Sequence, residues 1–332
     1  MNASEIMGMI EKVGLEDSGE IVAFASSKQL EHLFDLDLWK AQKAGSDEIF
    51  DPARFGVWLE VLLELGPRKA GDKLSEMDED FLVLAISSLA WVADSSWLQE
   101  GCEIDPRLDK VIDSSLSYEL ENYVLFSRDH GAWDALITIL ADLDTHHFST
   151  LSPILDRCAG LLMDQAGDEN EGLYDLLTTE DQLIEDVAHE REKRREAEGF
   201  VSPANARAFL KLCEAPSFPP DRLTPPQLLR KPGAPSAVAP KNPLIPAIPV
   251  EANRFQKVFE IFRKYPEEFP LFSEQLGYLA NVLMSGWNWN GRSPHAAKAM
   301  EIVLDVCERD LSQHPFTSFP ESFRRAWTSW RG

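Results

Sequence analysis

Apolar residues recur along this chain at intervals of three and four, the spacing that lines one face of an α-helix. Phe55, Trp58, Leu59, Leu62 and Leu63 obey it after Asp51-Pro52, a capping residue followed by proline at the first helical position, and Gly66 ends the run. Pro67 opens a short helix. Asp78 caps a nearly continuous apolar stretch, Phe81–Ala93, which the pattern predicts as a helix buried on most sides. Asp129 is placed to cap a helix through Trp133, Leu136, Ile137 and Leu140, and Ser152-Pro153 marks a start or restart before Ile154, Leu155, Leu161 and Leu162. Thr179-Glu180-Asp181-Gln182 is a capping-box pattern that opens a long charged helix stopped by Gly199. Ser202-Pro203 begins another, carrying Phe209, Leu210 and Leu212. Further on the spacing predicts four helices: Ala252–Lys264, Phe272–Ser285, one opened by Ser293-Pro294, and a last one with Phe323, Trp327 and Trp330. Only Tyr118–Phe126 alternates like a strand, and one short strand builds no sheet. The pattern predicts an all-α protein, an irregular helical superhelix or solenoid-like array.

Proline and charge divide the 332 residues in the same place. Eleven of the 21 prolines lie between Pro216 and Pro249, and proline, with no N–H and a fixed φ, belongs neither in a helix interior nor in a central strand. Residues 1–213 hold 18 basic and 44 acidic side chains, a net of −26, whereas residues 251–332 hold ten of each. The expected organisation is an acidic helical array over 1–213, a proline-rich linker over 214–250 and a helical region over 251–332. Eighty-two residues bury too little surface to be comfortably stable alone, so the last region is expected to dock on the first.

The overall charge of −24 repels a phosphate backbone and anionic lipid, so neither nucleic acid nor a membrane surface is an expected partner. Phe81–Ala93, at 13 residues, falls short of the roughly 20 that span a bilayer. The opening MNASEIMGMIEKVG has no basic stretch before an apolar core, so no secretory signal is expected. Cys102, Cys158, Cys213 and Cys307 are scattered without a CxxC pair, which fits free thiols in a reducing compartment and a cytoplasmic protein.

Candidate chemistry is sparse. Asp142, Asp144, His146 and His147 combine imidazole with carboxylate, the donor set of a divalent metal, although adjacent histidines point apart on a helix and a solvated helix junction uses the same residues. Glu185, Asp186, His189 and Glu192 match one half of a di-metal bundle site but lack a second matching helix; their neighbourhood, EREKRREAE, reads as a solvated helix laced with ion pairs. Cys158 and Cys213 sit at apolar helical positions and read as core thiols. Trp287 and Trp289, with Arg292, either form an aromatic recognition surface or anchor their loop on the core. Neither a nucleophile elbow, an HExxH pair, a P-loop nor a dinucleotide glycine pattern occurs, and no cofactor is expected.

Two segments carry a family likeness. Asp35-Leu36-Asp37-Leu38-Trp39 with Asp51-Pro52-Ala53-Arg54-Phe55 and Trp58-Leu59, and Glu274-Gln275-Leu276-Gly277-Tyr278-Leu279-Ala280-Asn281-Val282-Leu283 with Gly286 and Asn290-Gly291-Arg292, resemble an uncharacterised bacterial family, a domain of unknown function. The resemblance implies an all-helical fold and supplies no activity or catalytic residue. At the level of fold alone, the acidic leucine-rich helices are similar to the N-terminal superhelical domain of MgtE-type magnesium transporters. The expectation is a non-enzymatic scaffold or adaptor that binds another protein. The alternatives are a divalent-cation-responsive regulator using the acidic region, and an enzyme whose active site is assembled from distant helices.

Overall fold

Side-chain caps set the starts of several helices. The computed structural model describes residues 3–41, 48–98, 115–166, 179–214, 255–287 and 296–331. Ser26 Oγ accepts from the Gln29 backbone N–H while Gln29 Oε1 accepts from the Ser26 N–H, a capping box that opens α3 (Ser27–Asp37) after α1 (Ala3–Val13) and α2 (Gly19–Phe24). Asp51 caps α4 (Pro52–Leu63), Gly66 at φ 89° turns the chain into α5 (Pro67–Ser75), and Asp78 caps α6 (Glu79–Leu89). Then follow α7 (Trp133–Ala166), α8 (Thr179–Ala197), α9 (Pro203–Glu214), α10 (Gln256–Lys264), α11 (Phe269–Gly286), α12 (Ala296–Leu311) and α13 (Phe319–Arg331). The described residues are mostly helical, and none of their helices is long and apolar enough to cross a membrane.

The apolar stretch from Phe81 is not one helix. The α6 ladder stops at Leu89, Ala90 turns extended at φ −143° and ψ 144°, and Ala90–Asp94 continues as strand β3. Nor is Tyr118–Phe126 a lone strand: it is a hairpin of β4 (Ser117–Leu120) and β5 (Tyr123–Ser127), with Glu121 at φ 50° in its turn. The three strands pair antiparallel in the order β3-β5-β4, Ala90 facing Ser127 and Asp94 facing Tyr123. A short apolar run has no readable period, so a buried strand and a buried helix look alike in it. A second sheet joins β1 (Trp39–Ala41) to β2 (Glu48–Phe50). The expected restart at Ser152-Pro153 also moves: α7 kinks at His147 (φ −133°, ψ 35°), with Pro153 inside the following segment.

Contacts divide the chain into two units, Met1–Trp39 with Phe50–Glu192, and Lys40–Ile49 with Lys193–Gly332. In the first, Phe34, Phe55, Trp58 and Phe81 meet edge to face or tilted at 5.2–5.9 Å in a core where α5 and α6 pack on α7. Each such ring stabilises the fold by roughly 1.5–3 kcal/mol through burial, with about 0.5–1.5 more from favourable ring geometry. In the second, α9 packs on α11 and α13, Phe209 lying edge to face with Tyr278 at 5.7 Å. Helix α9, which proline and charge alone group with residues 1–213, belongs by contact with the C-terminal helices. The proline-rich segment and Ser293-Pro294 lie outside the described residues.

Candidate functional site

The richest polar cluster of the first unit stands where α3 hands over to α4. Asp37 is the last residue of α3, where the helix dipole disfavours a carboxylate. Donors from α4 offset this: Arg54 Nε at 2.6 Å and the Trp58 indole N–H at 2.8 Å both donate to Asp37 Oδ2. Asp51 fixes the start of α4 from the other side, accepting from Arg54 N while its own N–H donates to Leu38 O at 2.8 Å. Trp39 lies against Phe50 and under the Arg191 guanidinium, 4.8 Å from its ring centre. Arg191 Nε donates to Asp35 O at 2.9 Å. Glu11 keeps much of its surface in water, yet desolvation of its carboxyl, and then the Asp37 charge, push it up to about 7. The residues of the first likeness-bearing segment thus form one ionic and aromatic node, in which Arg54 and Trp58 answer the Asp37 carboxylate and Arg191 the Asp35 carbonyl. Such a node holds two helices in register.

The basic stretch of α8 departs from its solvated reading. Arg191 and Arg195 are each only 4% exposed. Arg195 ion-pairs with Glu48 at 3.5 Å, donates to Met284 O and lies over the Phe200 ring. Leu183, Val187, Arg191 and Arg195 fall four apart, and all four are buried. That continuous stripe was the available signal.

The candidate metal ligands do not converge. His146 Nδ1 pairs with Asp142 Oδ1 at 3.1 Å, whereas His147 Nε2 reaches Asp72 Oδ1 on α5 at 2.8 Å, and Asp144 has its own half-exposed position. The His147 hydrogen bond, ahead of the Arg68 charge, holds Asp72 below the usual carboxylate range. Among the described residues, no group of three or more His, Cys, Asp or Glu is disposed to hold a metal ion. Glu185, Asp186 and His189 are exposed on α8, and Glu192 lies beside Arg191 at 3.8 Å.

Cys158 and Cys213 are buried thiols that burial pushes up to about 12, and Cys307, equally buried, is also pushed up. Such thiols supply little thiolate for nucleophilic work. Trp287 packs edge to face on Trp327 and Trp330, at 5.4 and 5.8 Å. Trp289 and Arg292 lie outside the described residues. Asn281 Nδ2 donates to the carbonyl of Gly199, tying α11 to the residues that follow α8.

The surface of the first unit is the remaining candidate. Residues Met1–Trp39 and Phe50–Glu192 hold 11 basic and 40 acidic side chains, a net of −29, while the second unit holds 21 basic and 16 acidic, a net of +5. Large apolar side chains break that acidic surface, Phe24 at 90% exposure and Phe148, Met9 and Val13 at about half.

Residues 1–153 match the model of a family of unknown function (DUF6178). The match takes in Asp35–Trp39 and Asp51–Leu59 and stops short of Glu274–Arg292. No curated protein and no solved structure matches the chain, so the likeness to the MgtE-type domain gains no support.

Proposed function

We propose that the chain is a cytoplasmic, non-enzymatic scaffold that binds another protein through its acidic unit. The charge segregation carries this reading: a net of −29 is concentrated in one unit while the other is close to neutral. Net charge of this size costs self-repulsion within the compact state, and it steers an oppositely charged partner to the surface. Exposed Phe24, Phe148, Met9 and Val13 supply apolar contact area on the same unit. Asp37, in the polar cluster between α3 and α4, is answered by Arg54 and Trp58, an arrangement suited to holding helices.

Affinity capture with the intact chain, read by quantitative mass spectrometry, tests it. A basic protein should be enriched at low salt and released near 1 M salt, where the screening length falls to about 3 Å. Failure to enrich any partner across growth conditions overturns the reading. So does a calorimetric titration in which Mg²⁺, Ca²⁺, Mn²⁺ or Zn²⁺ gives heats well above those of an equally acidic control protein, which would favour a cation-responsive regulator.

A further inference from the structure

Between the second half of α7 and the first turns of α8 runs a groove of about 410 Å³. Val83, Leu161 and Leu183 give it an apolar floor, Arg157 and Asp186 stand at its edges, and Gly160 faces it from the second half of α7. Gly160 is exposed, and a Cβ built there meets nothing within 4 Å. Glycine in an exposed helix interior costs about 1 kcal/mol relative to alanine. Packing among the described residues therefore gives no reason for it, unlike Gly56 and Gly71, whose Cβ atoms would come within 2.6 and 2.5 Å of Ala132 Cβ and Asp142 Oδ2. A glycine with no neighbour among the described residues leaves room for a backbone approaching from outside. The charges specify what approaches. Arg157 is already engaged by Glu79 at 2.9 Å and Asp80 at 2.6 Å, which leaves the groove's surroundings negative with Asp186 at the rim.

We infer that this groove takes the apolar face of a basic amphipathic helix from a partner protein, crossing α7 at Gly160. The inference rests on the protein-binding reading and adds its site and the partner's chemistry. A helix in a two-helix groove presents apolar anchors at i, i+3, i+4 and i+7, with its lysines and arginines toward the acidic rim.

The probe is a fluorescein-labelled synthetic helix of leucine and lysine, with a control peptide of the same composition scrambled so that no apolar face forms. Anisotropy titrations use the full chain. The wild type should bind the helical peptide saturably and the scrambled one at least about tenfold more weakly, a difference of about 1.4 kcal/mol. Gly160→Phe fills the groove and should weaken the helical peptide by a similar factor. Asp186→Lys, at an exposed position, should weaken it several-fold and flatten its salt dependence, and circular dichroism melts confirm that each variant is folded. Unchanged binding to Gly160→Phe and Asp186→Lys overturns the groove, as does equal binding of the two peptides. Partners captured from cells by the wild type and retained by Gly160→Phe would remove the groove and keep the protein-binding reading. Binding of the helical peptide at Gly160 in a chain that captures no cellular partner would remove that reading alone.

Discussion

The Arg325 guanidinium forks onto both oxygens of Asp310, at 2.9 and 2.7 Å, with the carboxylate side chain only 1% exposed. Burial alone would raise Asp310; the Arg325 fork, the Ser322 hydroxyl and the His314 charge outweigh it and hold the carboxyl below its usual range. Removing one partner strands a buried charge. Arg325→Met is expected to cost about 3 kcal/mol, read as a lower urea midpoint followed by far-UV circular dichroism. A cost under about 1 kcal/mol would show that Asp310 is answered by other groups.

Asp37 makes the equivalent arrangement in the first unit with two unlike donors. Trp58→Phe removes the indole N–H together with part of a fully buried ring, so about 2 kcal/mol for the hydrogen bond to a charged group adds to a cavity cost of roughly 1–2 kcal/mol. Arg54→Met leaves the carboxylate without its counter-charge and should cost about 3 kcal/mol. A loss under about 1 kcal/mol for Arg54→Met in urea unfolding would mean that the counter-charge contributes little.

The pH response follows from the two signs. Glu11 is raised in the fold, so its contribution is fully present below its unfolded value near 4.5 and is lost as pH rises through about 7. Asp310 is lowered, so its contribution is present above the unfolded value of about 3.9 and is lost as pH falls through its folded value. Thermal melts should therefore weaken modestly from pH 5 to 8. Glu11→Gln should flatten that limb and leave the acid limb intact; a variant that keeps the full slope assigns it elsewhere.

Glycine-to-alanine changes should split in sign. Gly160→Ala meets open space and should raise the melting temperature by a few degrees, for about 0.5–1 kcal/mol. Gly56→Ala and Gly286→Ala would press on Ala132 and Ala206, at 2.6 and 2.7 Å, and should lower it, since overpacking costs about 1–3 kcal/mol. Differential scanning calorimetry of the three variants checks the order.

Buried thiols make the last prediction. At pH 8 Cys158, Cys213 and Cys307 should resist iodoacetamide in the folded chain and react in urea, as read by peptide mapping. Rapid labelling of any of them under native conditions would mark an opening of its helix pair.

Helix starts were legible because a cap is a local bond: Asp51 reaches Arg54 and Asp78 reaches Phe81, both three residues on. Strand β3 was hidden, since the apolar run through Ala90–Asp94 has no period to distinguish strand from helix. The stripe on α8 marks the face that carries Arg191 and Arg195, but what answers their charges was hidden for another reason. Their acceptors, Asp35 O and Met284 O, lie 156 and 89 residues away, and no window on α8 contains them. Of the candidate site, the likeness-bearing residues Asp35–Trp39 and Asp51–Leu59 were legible as a set. Their union through Asp37 with Arg54 and Trp58 required the turn between α3 and α4.

The second unit is discontinuous in sequence, closing around Lys40–Ile49 only when Lys193 and the residues after it are present. A ribosome adds roughly 5–20 residues per second, so the early segment waits on the order of ten seconds for its companions. During that interval Glu48 is without Arg195, its later partner. The nascent first unit then carries this piece of another unit through the synthesis of its own later helices. Any cut of the gene near residue 192 strands the same piece.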